Sequence, residues 1–196
     1  NGHKISIALE EMGLEYQVFP INILENDQFQ PDFLRISPNN KIPAIVDQDG
    51  PKGEAISVFE SGAILQYLGR KTGQFYPSDE QSRVEVEQWL MWQMGGFGPM
   101  LGQNHHFSKF APERIAYATE RYVNETKRLY GVLDKQLFGQ NYVAGEYSIA
   151  DMAIFPWILR YEWQQIDIND YPNVKAYMER IQARPAVQRA LALRVN

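Results

Sequence analysis

Two short runs of residues place chemistry-bearing groups where a ligand could meet them. The first is Lys41-Ile42-Pro43-Ala44-Ile45. A proline at the head of an apolar strand has no N–H to give to a ladder, so it marks a place where pairing is incomplete. Most X–Pro bonds in folded proteins are trans, so the plainer reading is an edge strand that begins with Pro43. A cis bond would instead turn the preceding backbone outward, and Ile42 could offer its N–H and C=O to an extended peptide. The second run is Phe59-Glu60-Ser61-Gly62-Ala63-Ile64. Glu60 and Ser61 stand where an apolar strand passes into a helix. The first amides of a helix lack intrahelical partners and carry the positive end of its dipole, which suits a carboxylate. The Ser61 hydroxyl adds a donor, and Glu60 can hold an ammonium. Together they match the carboxylate and amine of one amino acid. The plainer alternative is that Ser61 only caps the helix.

The chain contains no cysteine. Disulfides, thiolate metal sites and a protein-borne thiol nucleophile are therefore excluded. His105 and His106 are adjacent, and adjacent side chains usually point apart, so they make a poor metal site. A polar pocket wall is the better reading, and a surface turn the bland one. The run Trp89, Trp92, Met94, Phe97 and Met100 reads first as helix packing and second as a pocket lining. Arg121 and Arg128 are spaced to share a helix face, as solvated charges or as ligand contacts.

The elements that must position these groups are read from pattern. Ile5–Met12 reads as a short helix stopped by Gly13. Tyr16–Ile23 alternates like a strand, pushed to an edge by Pro20. Gln28–Ile36 reads as a turn or two of helix, with Pro31 tolerated in its first turn. Ile42–Val46 and Ala55–Phe59 flank Asp49-Gly50 and read as a hairpin. Ser61–Thr72 reads as a helix capped by Ser61 and ended before Gly73. The polar stretch 77–82 reads as a linker, and the chain beyond it is helical throughout. The helical segments are Arg83–Gly95, Pro112–Phe138, Ser148–Trp163, Pro172–Ala183 and Pro185–Leu193. The expected organisation is an α/β, thioredoxin-like domain over 1–76 and an all-helical domain over 83–196.

Composition agrees with a globular protein: 44% hydrophobic and 22% charged residues in a chain of 196. The net charge of −5 lacks the basic footprint of a nucleic-acid binder. No apolar run is long enough for a membrane span.

The two runs, at this spacing and succeeded by a helical half, resemble the glutathione transferase superfamily across essentially the whole chain. Asn1-Gly-His-Lys4, Ser37-Pro-Asn-Asn-Lys-Ile-Pro43 and Gly95–Phe107 are similar to the nu class, bacterial proteins related to the yeast nitrogen-regulator prion protein. Tyr147-Ser148-Ile-Ala-Asp151 is similar to the superfamily's folding motif, with capping-box spacing and a structural role. The resemblance implies a cis Ile42-Pro43 bond and glutathione as co-substrate. It places glutathione contacts at Asn1, Gln28, Ile42, Glu60, Ser61 and Arg128, with Lys41 beside the glycyl carboxylate and Pro43 shaping the site. Asn1 would hydrogen-bond the glutathione thiolate, whose reference pKa is about 8.5.

It further implies a cytoplasmic homodimer that acts on a small-molecule disulfide or electrophile. Thiol–disulfide exchange is the expected activity, with both exchanging sulfurs brought by ligands because the chain has none of its own. Conjugation to apolar electrophiles held against Trp92 and Phe97, peroxide reduction, or a purely regulatory glutathione-binding role are the alternatives. Family members carry a first strand and a Thr-Pro pair before the position of Asn1. The native protein is therefore expected to have roughly ten further N-terminal residues, enough for one strand and a turn.

Overall fold

The computed structural model describes residues 1–193; the last residues of the expected second domain, 194–196, lie outside them. Two compact units are present.

The first unit opens with helix α1, Gly2–Glu11. Its buried face is Lys4, Ile5, Ile7 and Ala8, and Gly13 comes after it at a positive φ of 65°. A side chain there would strain the backbone, so glycine ends the helix as its position predicts. The segment 14–22 carries no regular structure. This corrects the strand expected over Tyr16–Ile23: alternation alone does not make a strand, and no described segment pairs with this one. A 3₁₀ turn, Asp27–Phe29, leads to α2, Pro31–Ile36, with Pro31 in its first turn. Strands β1, Ala44–Asp47, and β2, Ile56–Phe59, pair antiparallel, with Ala44 opposite Phe59 and Asp47 opposite Ile56.

Helix α3, Ser61–Thr72, comes directly after β2 and ends on Gly73. Its buried stripe is Ile64, Leu65 and Leu68, each such side chain stabilising by about 1.5–3 kcal/mol on burial. At the far end of α3, Tyr67 Oη and Lys71 Nζ both donate to Asp47 Oδ2 at 2.6 Å, tying the helix to the hairpin. Burial pushes the Asp47 carboxyl up, but these two donors together with the Asp49 amide outweigh it and hold the group below its usual range. Helix α9, Pro185–Ala192, completes this unit although it comes from the opposite end of the chain. Sequence position alone assigns it to 83–196, but its apolar face (Ala186, Val187, Ala190) packs on α1. Arg189 donates to Glu10 at 2.7 Å, and Glu10 also accepts from Tyr16 Oη at 2.8 Å.

The second unit holds α4 (Glu80–Trp92), α5 (Gly98–His105), α6 (Ala116–Gln136), α7 (Ile149–Ile158) and α8 (Pro172–Gln182). Helix α4 starts inside the stretch read as a linker, because Asp79 caps it by accepting from the Ser82 amide. The glycine-rich segment after α4 does not break the helix. It passes through a π turn, Gln93–Phe97, straight into α5. Helix α7 is buried on nearly every side. It begins with the expected capping box, in which Ser148 caps and the Asp151 carboxylate accepts from the Ser148 amide at 2.8 Å. Asp151 also accepts from the Val143 amide and from Tyr177 Oη, both at 3.0 Å. Burial pushes its carboxyl up to about 6 against the pull of these donors. Among the described residues, no helix is long and apolar enough to cross a membrane.

Candidate active site

Six of the eight residues predicted from sequence meet in one open cleft of the first unit. Asn1, Lys41, Ile42, Pro43, Glu60 and Ser61 line it, joined by Ser37 and Phe59. Its volume of about 160 Å³ is below the roughly 300–1,000 Å³ of pockets that enclose a ligand. The cleft suits one end of an extended molecule whose remainder lies along the surface.

Each wall has a local cause. The Ile42-Pro43 peptide bond is cis. The ladder of β1 begins only at Ala44, so Ile42 stands outside it, 41% exposed. The loop before it is braced from within: buried Ser37 donates its hydroxyl to the Lys41 carbonyl at 2.8 Å, and the Asn40 amide closes a turn onto the Ser37 carbonyl at 2.9 Å. Lys41 is thereby placed at the rim with its side chain exposed.

The strand-to-helix corner differs from the expected cap. Ser61 is the first residue of α3, and Glu60 takes the cap position without a side-chain capping bond. Glu60 has φ 68° and ψ 116°, a conformation that non-glycine residues rarely adopt. This turn places Glu60, which is exposed, and Ser61, the first residue of α3, on the same cleft. Asn39 Nδ2 stands 3.5 Å from Glu60 Oε1. Asn1 occupies the cap position of α1, where its carbonyl accepts from the Lys4 amide at 3.1 Å and its side chain makes no capping bond.

Sequence reasoning missed Lys4. Its side chain is only 2% exposed, and Nζ donates to Ser61 Oγ at 3.4 Å. Burial pushes the ammonium down to about 7, against the opposing pull of Glu60. The signal lay in the helical period: Lys4 shares a face with Ile7 and Ala8.

Two predicted residues are not among those lining the cleft. Gln28 lies in the 3₁₀ turn before α2; its Nε2 donates to the Ile23 carbonyl at 3.4 Å, and its Oε1 is buried without a hydrogen-bond partner. Arg128 belongs to the second unit, where Glu125 holds its guanidinium with two bonds of 2.8 and 2.7 Å.

Phe97, read as a candidate substrate wall, is fully buried and stacks on Trp92 with ring centres 4.8 Å apart. His105 is a packing residue, stacked on Trp157 at 5.5 Å and bonded through Nε2 to Gln164 Nε2 at 3.1 Å. A larger cavity of about 370 Å³ lies in the second unit between the segment from Phe107 to Thr119 and Gln165. It gathers none of the predicted residues, and its charges, Lys109, Glu113 and Arg114, are of mixed sign.

Comparison with known proteins agrees with this geometry. Residues 1–70 match the glutathione S-transferase N-terminal domain and residues 97–185 the C-terminal domain. The chain is 54% identical to the disulfide-bond oxidoreductase YfcG of Escherichia coli K12 over 195 residues, covering 97% of this chain and 90% of that protein. A glutathione transferase from Pseudomonas putida, solved with one glutathione disulfide bound per subunit, superposes with a TM-score of 0.94 at 45% identity, covering 98% of this chain and 87% of that one. A family member from Pseudomonas fluorescens, solved with two glutathione bound, gives 0.93 at 48% identity, covering 97% and 87%. The α/β hairpin unit with its cis-proline cleft, joined to a helical unit, is that family's fold. This chain belongs to the glutathione S-transferase family.

Proposed function

We propose that the protein is a glutathione-dependent disulfide reductase in which bound glutathione supplies the reacting sulfur. The observation that carries this reading is the cleft itself. Donors for a carboxylate, an acceptor for an ammonium and an outward backbone edge converge beside Asn1 in a chain without cysteine. The γ-glutamyl carboxylate goes to Ser61 and the α3 amides, and its ammonium to Glu60. The cysteinyl backbone pairs with Ile42, beside Pro43. Lys41 attracts the glycyl carboxylate, and Gln28 offers its buried Oε1 to a ligand N–H. Asn1 donates to the thiolate. Arg128 acts on the substrate side in our reading.

The reaction then balances without any protein thiol. The bound thiolate attacks one sulfur of the substrate disulfide; a mixed disulfide forms, and the other sulfur leaves as a thiolate that takes up a proton. A second glutathione thiolate attacks the glutathione sulfur of the mixed disulfide. It releases the second product thiol and leaves glutathione disulfide. Two glutathione molecules supply the two electrons. The protein contributes position and stabilisation of the thiolate. The names of the relatives support this assignment: YfcG and, at 43% identity, YghU of E. coli K12 are both disulfide-bond oxidoreductases. We further propose a cytoplasmic homodimer as the working form. No observation favours conjugation over exchange, since Phe97 belongs to the core of its unit. The test is the glutathione-dependent reduction of a small disulfide, run beside an aromatic-electrophile assay.

A further inference from the structure

Three hydrogen bonds meet at Ser37, and together they fix the direction of one peptide plane in the cleft. The Ser37 amide donates to the Phe33 carbonyl at 2.8 Å, which anchors the residue to the end of α2, where Phe33 is buried. The Ser37 carbonyl accepts from the Asn40 amide at 2.9 Å and closes a turn in which Asn40 has a φ of 48°. Asparagine is among the side chains that enter this left-handed region most readily. The Ser37 hydroxyl donates to the Lys41 carbonyl at 2.8 Å. A hydroxyl has one hydrogen, and here the Lys41 carbonyl holds it, so Ser37 has no donor left for a ligand.

The consequence falls on the next residue. The Lys41–Ile42 peptide bond is trans. In a trans peptide the carbonyl and the N–H share a plane and point to opposite sides. With the Lys41 carbonyl held on buried Ser37, the Ile42 N–H is directed away from Ser37. Ile42 is exposed before the start of β1 and lines the cleft, and its N–H donates to no described residue. A backbone donor left unpaired by its own fold is available to a ligand acceptor. Without the Ser37 hydroxyl, the Lys41 carbonyl has no partner among the described residues. The plane can then turn about its two flanking dihedrals, and the N–H loses its direction.

We propose that Ser37 is a positioning residue for the cysteinyl carbonyl of glutathione: by holding the Lys41 carbonyl, it aims the Ile42 N–H at that acceptor. This rests on the reading that the cysteinyl backbone of glutathione pairs with Ile42. The hydroxyl acts through the peptide plane and does not touch the ligand. It favours ligands that carry a peptide carbonyl at this place over γ-glutamyl thiols that lack one, so Ser37 contributes to specificity as well as to affinity.

The test is calorimetric titration of the full chain with two ligands. One is S-methylglutathione. The other is its analogue with a trans carbon–carbon double bond in place of the cysteinyl–glycyl amide, which keeps the length and the charges and loses the carbonyl. The glycyl N–H, lost with it, affects wild type and variant alike. Wild type should bind S-methylglutathione about three- to tenfold more tightly than the analogue, the worth of one neutral hydrogen bond. In Ser37→Ala that preference should fall below about twofold, because S-methylglutathione binds more weakly while the analogue is nearly unaffected. Should Ser37→Ala not fold, Ser37→Cys, with a weaker donor of similar size, takes its place, and its preference should also be smaller than that of wild type. In wild type, NMR should show the Ile42 amide exchanging rapidly with solvent in the free protein, slowed by S-methylglutathione and not by the analogue.

A residue that only supported the loop would weaken both ligands equally. An undiminished preference in the variant therefore overturns the role of Ser37 and leaves the glutathione site standing. Equal affinity of wild type for the two ligands does the same, as does an Ile42 amide already protected in the free protein or not slowed by S-methylglutathione. Absence of S-methylglutathione binding to wild type overturns the glutathione site and the role of Ser37 with it.

Discussion

Glu60 is held in a backbone conformation that a side chain rarely adopts, and Glu60→Gly should separate the cost of that conformation from the proposed role in binding. At φ 68° and ψ 116° a side chain costs about 1–3 kcal/mol, which glycine does not incur. Glycine loses about 0.5–1 kcal/mol through the extra freedom of its unfolded chain. The contacts given up are small: Glu60 is exposed, and its bond to Asn39 is long at 3.5 Å. The net expectation is a free protein more stable by about 0.5–1.5 kcal/mol. Binding moves the other way. The carboxylate proposed to accept from the ligand ammonium is gone, and a charge-assisted hydrogen bond at an exposed site is worth about 1.5 kcal/mol, or about tenfold in Kd. Denaturant unfolding without ligand gives the first quantity and calorimetric titration with glutathione the second. Opposite signs are predicted. Unchanged affinity, or a loss of stability alongside the loss of affinity, would refute the assignment of Glu60 to the ammonium.

Other residues carry further expected outcomes. Asn1→Ala removes the donor proposed for the bound thiolate; disulfide reduction should fall about tenfold and the acid limb of its pH profile should move upward, toward the ordinary thiol value. An unmoved limb would mean that Asn1 does not touch the sulfur. Asp151→Asn keeps the shape of a residue that accepts from Val143, Ser148 and Tyr177, but it turns an NH₂ toward two of those donors. Unfolding stability should drop by about 2–4 kcal/mol with glutathione affinity per folded molecule unchanged. Lys4→Met should gain stability relative to wild type as the pH falls from about 10 to 7. In that window the folded wild type, with its amine lowered to about 7 from an ordinary 10.5, binds fewer protons than its unfolded chain and is stabilised by rising pH. Parallel stability curves for the two proteins would show that burial does not perturb Lys4.

The elements around the cleft were legible because their signals are local. Alternation on both sides of Asp49-Gly50 predicts the hairpin, and Gly73 predicts where α3 stops. Ser148 and Asp151 carry their capping box within four consecutive residues. The misreadings share a different cause, which is that long-range packing decides them. Tyr16–Ile23 has a strand's alternation, but a strand exists only against a partner. Ser61 has the composition of a cap, yet Glu60 takes that position with a positive φ and Ser61 becomes the first residue of α3. Lys4 looks like any surface lysine until α3 covers it. The helical segment read as Arg83–Gly95 continues beyond Gly95, and Phe97 and Leu101 are buried where the helical path crosses a π turn. The grouping of the candidate residues was more legible than the packing. Six predicted residues line one cleft, and Arg128, found in the second unit beside Glu125, was identified only by resemblance.

The central claim is that a ligand's sulfur, held by this cleft, performs exchange on a chain of 196 residues that contains no cysteine. The most direct measurement is the rate of reduction of a small symmetrical disulfide by glutathione, with and without the full protein, and with Ser61→Ala in parallel. The account predicts a rate well above the uncatalysed background, saturable in glutathione, and a weaker half-saturation in Ser61→Ala. A rate no greater than background, or one indifferent to Ser61, would contradict it.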